Sequence, residues 1–112
     1  MERHLVVVMS NPVEGREEEF HDWYENTHLD EVLATCGWTS AERFTLSAEQ
    51  GVACGYTHLA LYEAPAETAE QVIETLTVTR DQRQQSTSID RRNAGVWIFS
   101  PAGQKRFHPD HT

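Results

Sequence analysis

Along this chain the apolar positions change period several times, and each change marks an element. Leu5-Val6-Val7-Val8-Met9 is an unbroken, mostly β-branched run with charged flanks, the pattern of a strand covered on both faces. Asn11-Pro12 turns the chain and Gly15 frees the backbone, so a helix is expected to start near Gly15, with Glu17, Glu18 and Glu19 where the dipole favours negative charge. At about 100° per residue, Phe20, Trp23, Tyr24, Thr27 and His28 fall within an arc of roughly 140°, whereas Glu18, Glu19, Asp22 and Glu25 lie mostly outside it. Leu29 to Ala34 continues helically past a kink expected near Asp30, and Gly37 is the stop.

Trp38 to Ser47 reads as a second strand, and Ser47 to Gly55 as a somewhat long hairpin connection. In a third strand, Tyr56 to Tyr62, alternation puts Tyr56, His58, Ala60 and Tyr62 on one face and Thr57, Leu59 and Leu61 on the other. Pro65 fits a helix start, and Ala66, Ala69, Val72, Ile73 and Leu76 recur at helical spacing. The polar stretch from Thr79 to Asn93 reads as a long surface segment with at most one helical turn. Gly95 to Ser100 is the last strand, and the tail 102–112 is expected to be mobile.

The order β-α-β-β-α-β specifies an α+β domain. With right-handed crossovers it builds a ferredoxin-like four-stranded antiparallel sheet with both helices on one face. At 112 residues the chain suits one domain spanning 1–112, and only 38% of it is hydrophobic, so an uncovered sheet face predicts a homodimer packed sheet to sheet. Nine Lys and Arg against eighteen Asp and Glu give a net charge of -9, which disfavours nucleic acid and anionic membrane as partners. The longest apolar run is far below the ~20 residues of a spanning helix, and Cys36 and Cys54 form no CxxC pair. A cytoplasmic protein with reduced thiols is the expectation.

Three stretches carry a resemblance: Ser10-Asn11-Pro12-Val13-Glu14-Gly15-Arg16-Glu17, Phe20-His21-Asp22-Trp23-Tyr24-Glu25-Asn26-Thr27-His28-Leu29 and His58-Leu59-Ala60-Leu61-Tyr62-Glu63. The chain resembles the EthD-like branch of the dimeric α+β barrel superfamily, from the first strand to the last. That resemblance implies a small-molecule pocket between sheet and helices with a histidine and a tyrosine as its polar groups. It implies no single reaction, because the superfamily includes cyclases, cofactor-free monooxygenases, decarboxylases, dehydratases, isomerases, haem-degrading proteins and members without known activity.

Tyr24 and His28 stand four apart on one helix face, close enough for a proton relay, and an imidazole suits acid/base work at neutral pH. The plainer use is a His28 bonded to backbone at the kink and a Tyr24 serving as amphipathic core. His58, with Tyr56 and Tyr62, is a second pocket wall if the helices cover its face and an interface if they do not. Phe20, Trp23 and Trp97 complete an aromatic lining for an aryl or polycyclic substrate. His21 and His28 are about two turns apart, no HxH or HxxxH lies on an element, and no glycine-rich nucleotide loop is present. No metal or other cofactor is therefore expected, and a haem would have only His28 or His58 to bind it.

The expectation is a cofactor-independent enzyme of polyketide or aromatic small-molecule metabolism, acting as a cyclase, dehydratase or related proton-transfer catalyst. His28, Tyr24 and His58 would carry the chemistry; Phe20, Trp23, Tyr56, Tyr62 and Trp97 would bind substrate. The alternatives are a cofactor-free monooxygenase on a phenol or anthrone, separable by dioxygen consumption, and a non-catalytic accessory protein that binds the same small molecule.

Overall fold

In the computed structural model, which describes residues 1–110, strand β1 (Glu2–Ser10) is an inner strand of the sheet. Strand β3 (His58–Ala66) pairs along one side of it and β4 (Gly95–Phe99) along the other, while β2 (Ser40–Thr45) extends the sheet beyond β3. All pairings are antiparallel and the order is β2-β3-β1-β4, an α+β arrangement compatible with a ferredoxin-like fold. No helix among the described residues is long and apolar enough to cross a membrane.

Register assigns the faces. Val6 lies opposite Tyr62 and Ile98, and Ser10 opposite His58, so His4, Val6, Ser10, Ala60, Tyr62 and Ala64 share one side and are buried. The helices cover this side with Phe20, Trp23, Tyr24, Leu29, Val32 and Val72. Leu5, Val7 and Met9 face the other way, and there Phe44, Trp97 and Phe99 remain 41%, 41% and 58% exposed. The first strand, read from its sequence as covered on both faces, is covered on only one within a single chain.

The first helical region has two segments, α1 (Glu17–Trp23) and α2 (Leu29–Cys36), joined by one π turn (Tyr24–His28) in which the Leu29 N–H donates to the Tyr24 carbonyl. The sequence predicts a kink near Asp30, but the break lies earlier, at Tyr24–His28, and Asp30 is inside the regular helix α2; the physical reason for the break is phase. Over the twelve residues from Phe20 to Val32 a straight α-helix would rotate about 120°, carrying Val32 away from the sheet. A π turn absorbs one residue, which brings the offset back to about 20°, and both residues are buried. Gly37 ends α2 in the left-handed conformation, φ 71°, as expected.

Helix α3 (Ala69–Val78) starts later than the position of Pro65 suggests. Thr68 caps it: its hydroxyl accepts from the Gln71 N–H at 3.2 Å, and the Gln71 side chain accepts from the Thr68 N–H at 3.3 Å. Pro65 belongs to β3, opposite Arg3. The last β2–β3 pair is Ser40 with Glu63, so the N–H that proline lacks has no strand to reach. At its other end β3 begins at His58, two residues after the expected start. Tyr56 therefore escapes the strand's alternation and packs edge-on against Trp97, ring centres 5.9 Å apart, on the open face.

The stretch from Thr79 to Asn93 is tied down along its length. Pro12 and Ile89 form an isolated bridge, Val13 N–H donates to the Ser88 carbonyl at 2.6 Å, and Asp90 N–H donates to the Asn11 carbonyl at 2.9 Å. Trp23 Nε1 donates to the Gln84 carbonyl at 3.0 Å, and Glu31 accepts from the Gln84 N–H at 2.9 Å. Arg83 and Ser88 are buried. A surface segment was expected; it is laced onto α1, α2 and the β1 turn, and carries two short 3₁₀ turns, Arg80–Gln82 and Arg91–Asn93. The tail after Pro101 is exposed irregular chain as far as residue 110, and the rest of the expected mobile tail, including His111, lies outside the described residues.

Candidate functional site

The π turn decides which side chains meet. Trp23 and His28 are five residues apart, about 140° around an α-helix, but the i to i+5 bonding of the π turn brings them to one side. Their rings stack with centres 4.2 Å apart and planes 24° from parallel, and Tyr24 meets His28 edge-on at 5.1 Å. These three line a cleft of about 260 Å³ whose sheet side is Val8 and whose opposite wall is Leu76 and Thr77 of α3. The laced segment closes the rim with Arg80, Arg83, Gln85, Ile89 and Arg91.

His28 is the histidine of the cleft. Among the described residues neither ring nitrogen has a hydrogen-bond partner; Nδ1 is enclosed, and Nε2 is not enclosed in that way. Burial, then the positive charges of Arg83 and Arg91, push its pKa down to about 4, so the ring is neutral at pH 7. His4 shows what a structural buried histidine looks like in the same fold. Its Nδ1 lies 2.8 Å from Ser100 Oγ and its Nε2 3.1 Å from the Ala66 carbonyl, so both nitrogens are engaged.

Tyr24 contributes its ring to the cleft. Burial raises its pKa, while hydrogen bonding to the Ser10 side chain and the charge of Arg43 pull the other way. The groups that act on the hydroxyl's titration, Ser10 and Arg43, are not among the residues that line the cleft.

The other expected residues do not converge on His28. His58 faces the helices, which resolves its face, but it packs edge-on against Phe20 at 5.0 Å and lies 2.8 Å from Thr57 Oγ1, beside Arg43 and His21. It opens onto a shallow hollow with His21 and Glu17, not onto the cleft. Burial, Arg43 and His21 lower its pKa. Phe20 is fully buried, and Tyr62 is sealed in the core against Trp38, its pKa driven well up by burial. Tyr56 and Trp97 sit together on the open sheet face. Of the residues expected to act together, the structure assembles Trp23, Tyr24 and His28.

Sequence reasoning missed the arginines. Arg83 Nη1 donates to Thr35 Oγ1 at 2.9 Å and Thr79 Oγ1 at 2.6 Å and approaches Cys36 Sγ at 3.5 Å; Nη2 donates to the Leu76 carbonyl at 2.9 Å. These partners are neutral, helped by the negative end of α3. Among the described residues Arg91 reaches only the Gln85 amide oxygen at 3.4 Å and the Ser86 carbonyl at 3.3 Å. The available clue was local: residues 80–92 hold four arginines and two aspartates in a chain of net charge -9. Among the described residues no group of three His, Cys, Asp or Glu is placed to hold a metal ion. Compared with known proteins, the chain matches no family model, no curated protein and no solved structure.

Proposed function

We propose that this chain is a cofactor-independent acid/base enzyme of the EthD-like, dimeric α+β barrel type, acting on a small enolisable aromatic substrate in the cleft beside His28. The observation that carries this reading is the His28 ring itself: neutral at pH 7, fixed by the Trp23 stack, and without a hydrogen-bond partner on either nitrogen among the described residues. A carbon acid held there gives its proton to Nε2 and becomes an enolate. The guanidinium groups at the rim stabilise the new negative charge, and the imidazolium returns the proton at another atom. Tyr24 closes the site as an edge-on aromatic wall. The open sheet face, with Phe44, Trp97 and Phe99 exposed, is where two copies pair, and this leaves the helix-side cleft free.

The test uses a neutral probe, benzoylacetone, and follows deuterium exchange at its central carbon by NMR. The protein is expected to raise exchange at least roughly a hundredfold over buffer, the lower range of a positioned general base, and His28→Ala to return it to the buffer rate. Wild-type exchange at the buffer rate would end the catalytic reading. A non-catalytic binding protein is the second reading, favoured by the weak basicity of a ring with a pKa near 4. It predicts probe binding that survives His28→Ala with no exchange in either protein.

A further inference from the structure

Charge pairing divides the arginines of the folded body into two sets. Arg3 meets Glu63 at 3.6 Å, Arg16 meets Glu19 at 2.6 Å, Arg43 meets Glu25 at 2.9 Å and Arg92 meets Asp90 at 3.5 Å. Arg80, Arg83 and Arg91 have no carboxylate within ion-pair distance among the described residues, and all three line one cleft. No aspartate or glutamate lines that cleft with them. In a chain with twice as many acidic as basic residues this segregation is contrary to what surface pairing produces. Arg83 sharpens the point: it is 7% exposed, and its Nε has no acceptor among the described residues although Nη1 and Nη2 are bonded. A guanidinium offering its Nε edge is suited to side-on pairing with a planar anion.

We infer that the cleft binds an aryl carboxylate, its carboxylate held among Arg80, Arg83 and Arg91 and its ring lying along Trp23, Val8 and Leu76. The apolar wall selects against a bare oxyanion, which has nothing to place there. The volume, about 260 Å³, is at the small end of ligand pockets and fits one ring with a short acidic arm better than the polycyclic skeleton the aromatic content suggested. This inference rests on reading the cleft as the substrate site, and it is tested by binding, so it stands or falls separately from turnover of the neutral probe.

Calorimetric titration of the full-length protein with benzoate, benzamide and inorganic phosphate decides it. Benzoate is expected to bind, with benzamide and phosphate each at least roughly tenfold weaker, because charge-assisted bonds are lost in one case and the apolar contact in the other. Arg80 and Arg91 are exposed, so the double variant Arg80→Gln, Arg91→Gln should keep the wild-type circular dichroism spectrum and lose at least roughly tenfold in benzoate affinity. Benzamide binding as tightly as benzoate, or a double variant with unchanged affinity, would overturn the inference while leaving acid/base chemistry in the cleft intact. Phosphate binding as tightly as benzoate would replace the aryl acid by a simple oxyanion. No benzoate binding at all would remove the anion site.

Discussion

Arg43 and Arg83 are withdrawn from solvent to a similar degree, 9% for the Arg43 side chain and 7% for Arg83, yet their surroundings are opposite. Arg43 reaches from β2 to Glu25, lies 3.0 Å from His21 Nδ1, and sets its guanidinium over the rings of Phe20 and Tyr24 at 5.7 and 5.0 Å. Its charge is answered inside the fold. Arg83 meets two hydroxyls, a thiol and a carbonyl, and no carboxylate among the described residues answers its charge. Burial of a cation therefore does not by itself mark a site, since structural ion pairs do the same; what distinguishes the cleft is buried charge without an opposite. Tyr24 touches both regions, with Arg43 over its ring and His28 against its edge.

The comparison breaks most visibly by removing Arg83. Arg83→Ala deletes the cross-link between α2 and the end of α3 and should cost about 3–4 kcal/mol in urea unfolding, with Arg83→Lys unable to restore it because a point charge does not serve Thr35, Thr79 and Leu76 together. Acidification should come next. His28 has a folded pKa of about 4 against an ordinary 6.5, so the unfolded chain takes up the proton first, and stability is lost as pH falls from about 6.5 to 4. The loss is on the order of 3 kcal/mol, measurable as a falling urea midpoint. His28→Phe keeps the stack on Trp23, and its unfolding free energy should lack this portion of the pH dependence.

Arg43→Ala should cost less, about 1–2 kcal/mol, because Glu25 is left in contact with solvent and the loss is chiefly of contacts with Phe20 and Tyr24. Benzoate affinity should be unchanged, which would confine the anion site to the Arg83 side. The smallest effect belongs to Tyr24→Phe. The change removes one buried hydroxyl and keeps the ring against His28, so it should cost about 1 kcal/mol and lower benzoylacetone exchange by less than roughly tenfold.

What the sequence disclosed follows from distance along the chain. The order of elements along the chain, the pairing of Tyr24 with His28 four positions on, and the Gly37 stop are set by residues a few positions apart, and periodicity reads such relations directly, whereas the π turn that swings Trp23 onto His28 left no such mark. The ends of β3 were not legible, since Pro65 is tolerated there only because β2 stops at Ser40, a fact about another strand. The same holds for the site. His28 was found because it shares a helix with Tyr24, but Arg83 meets Thr35 across 48 positions of chain, and nothing local distinguishes it from a solvated arginine. His58 and Tyr62 share a strand face as expected, yet strand twist and packing take one to the Arg43 side and the other into the core.

The π turn also bears on the lengths this helix can tolerate over generations of change. Phe20 and Val32 are in phase only because one residue is surplus to α geometry between Tyr24 and His28. Losing a residue there, Asn26 for instance, would leave an uninterrupted helix with both apolar faces still aligned and Trp23 and His28 four positions apart. Gaining one would swing Leu29, Val32 and the start of the next strand by about 100°. The segment is thus a buffer for deletion and a barrier to insertion, so homologous chains should differ in length here in one direction only, toward the shorter helix.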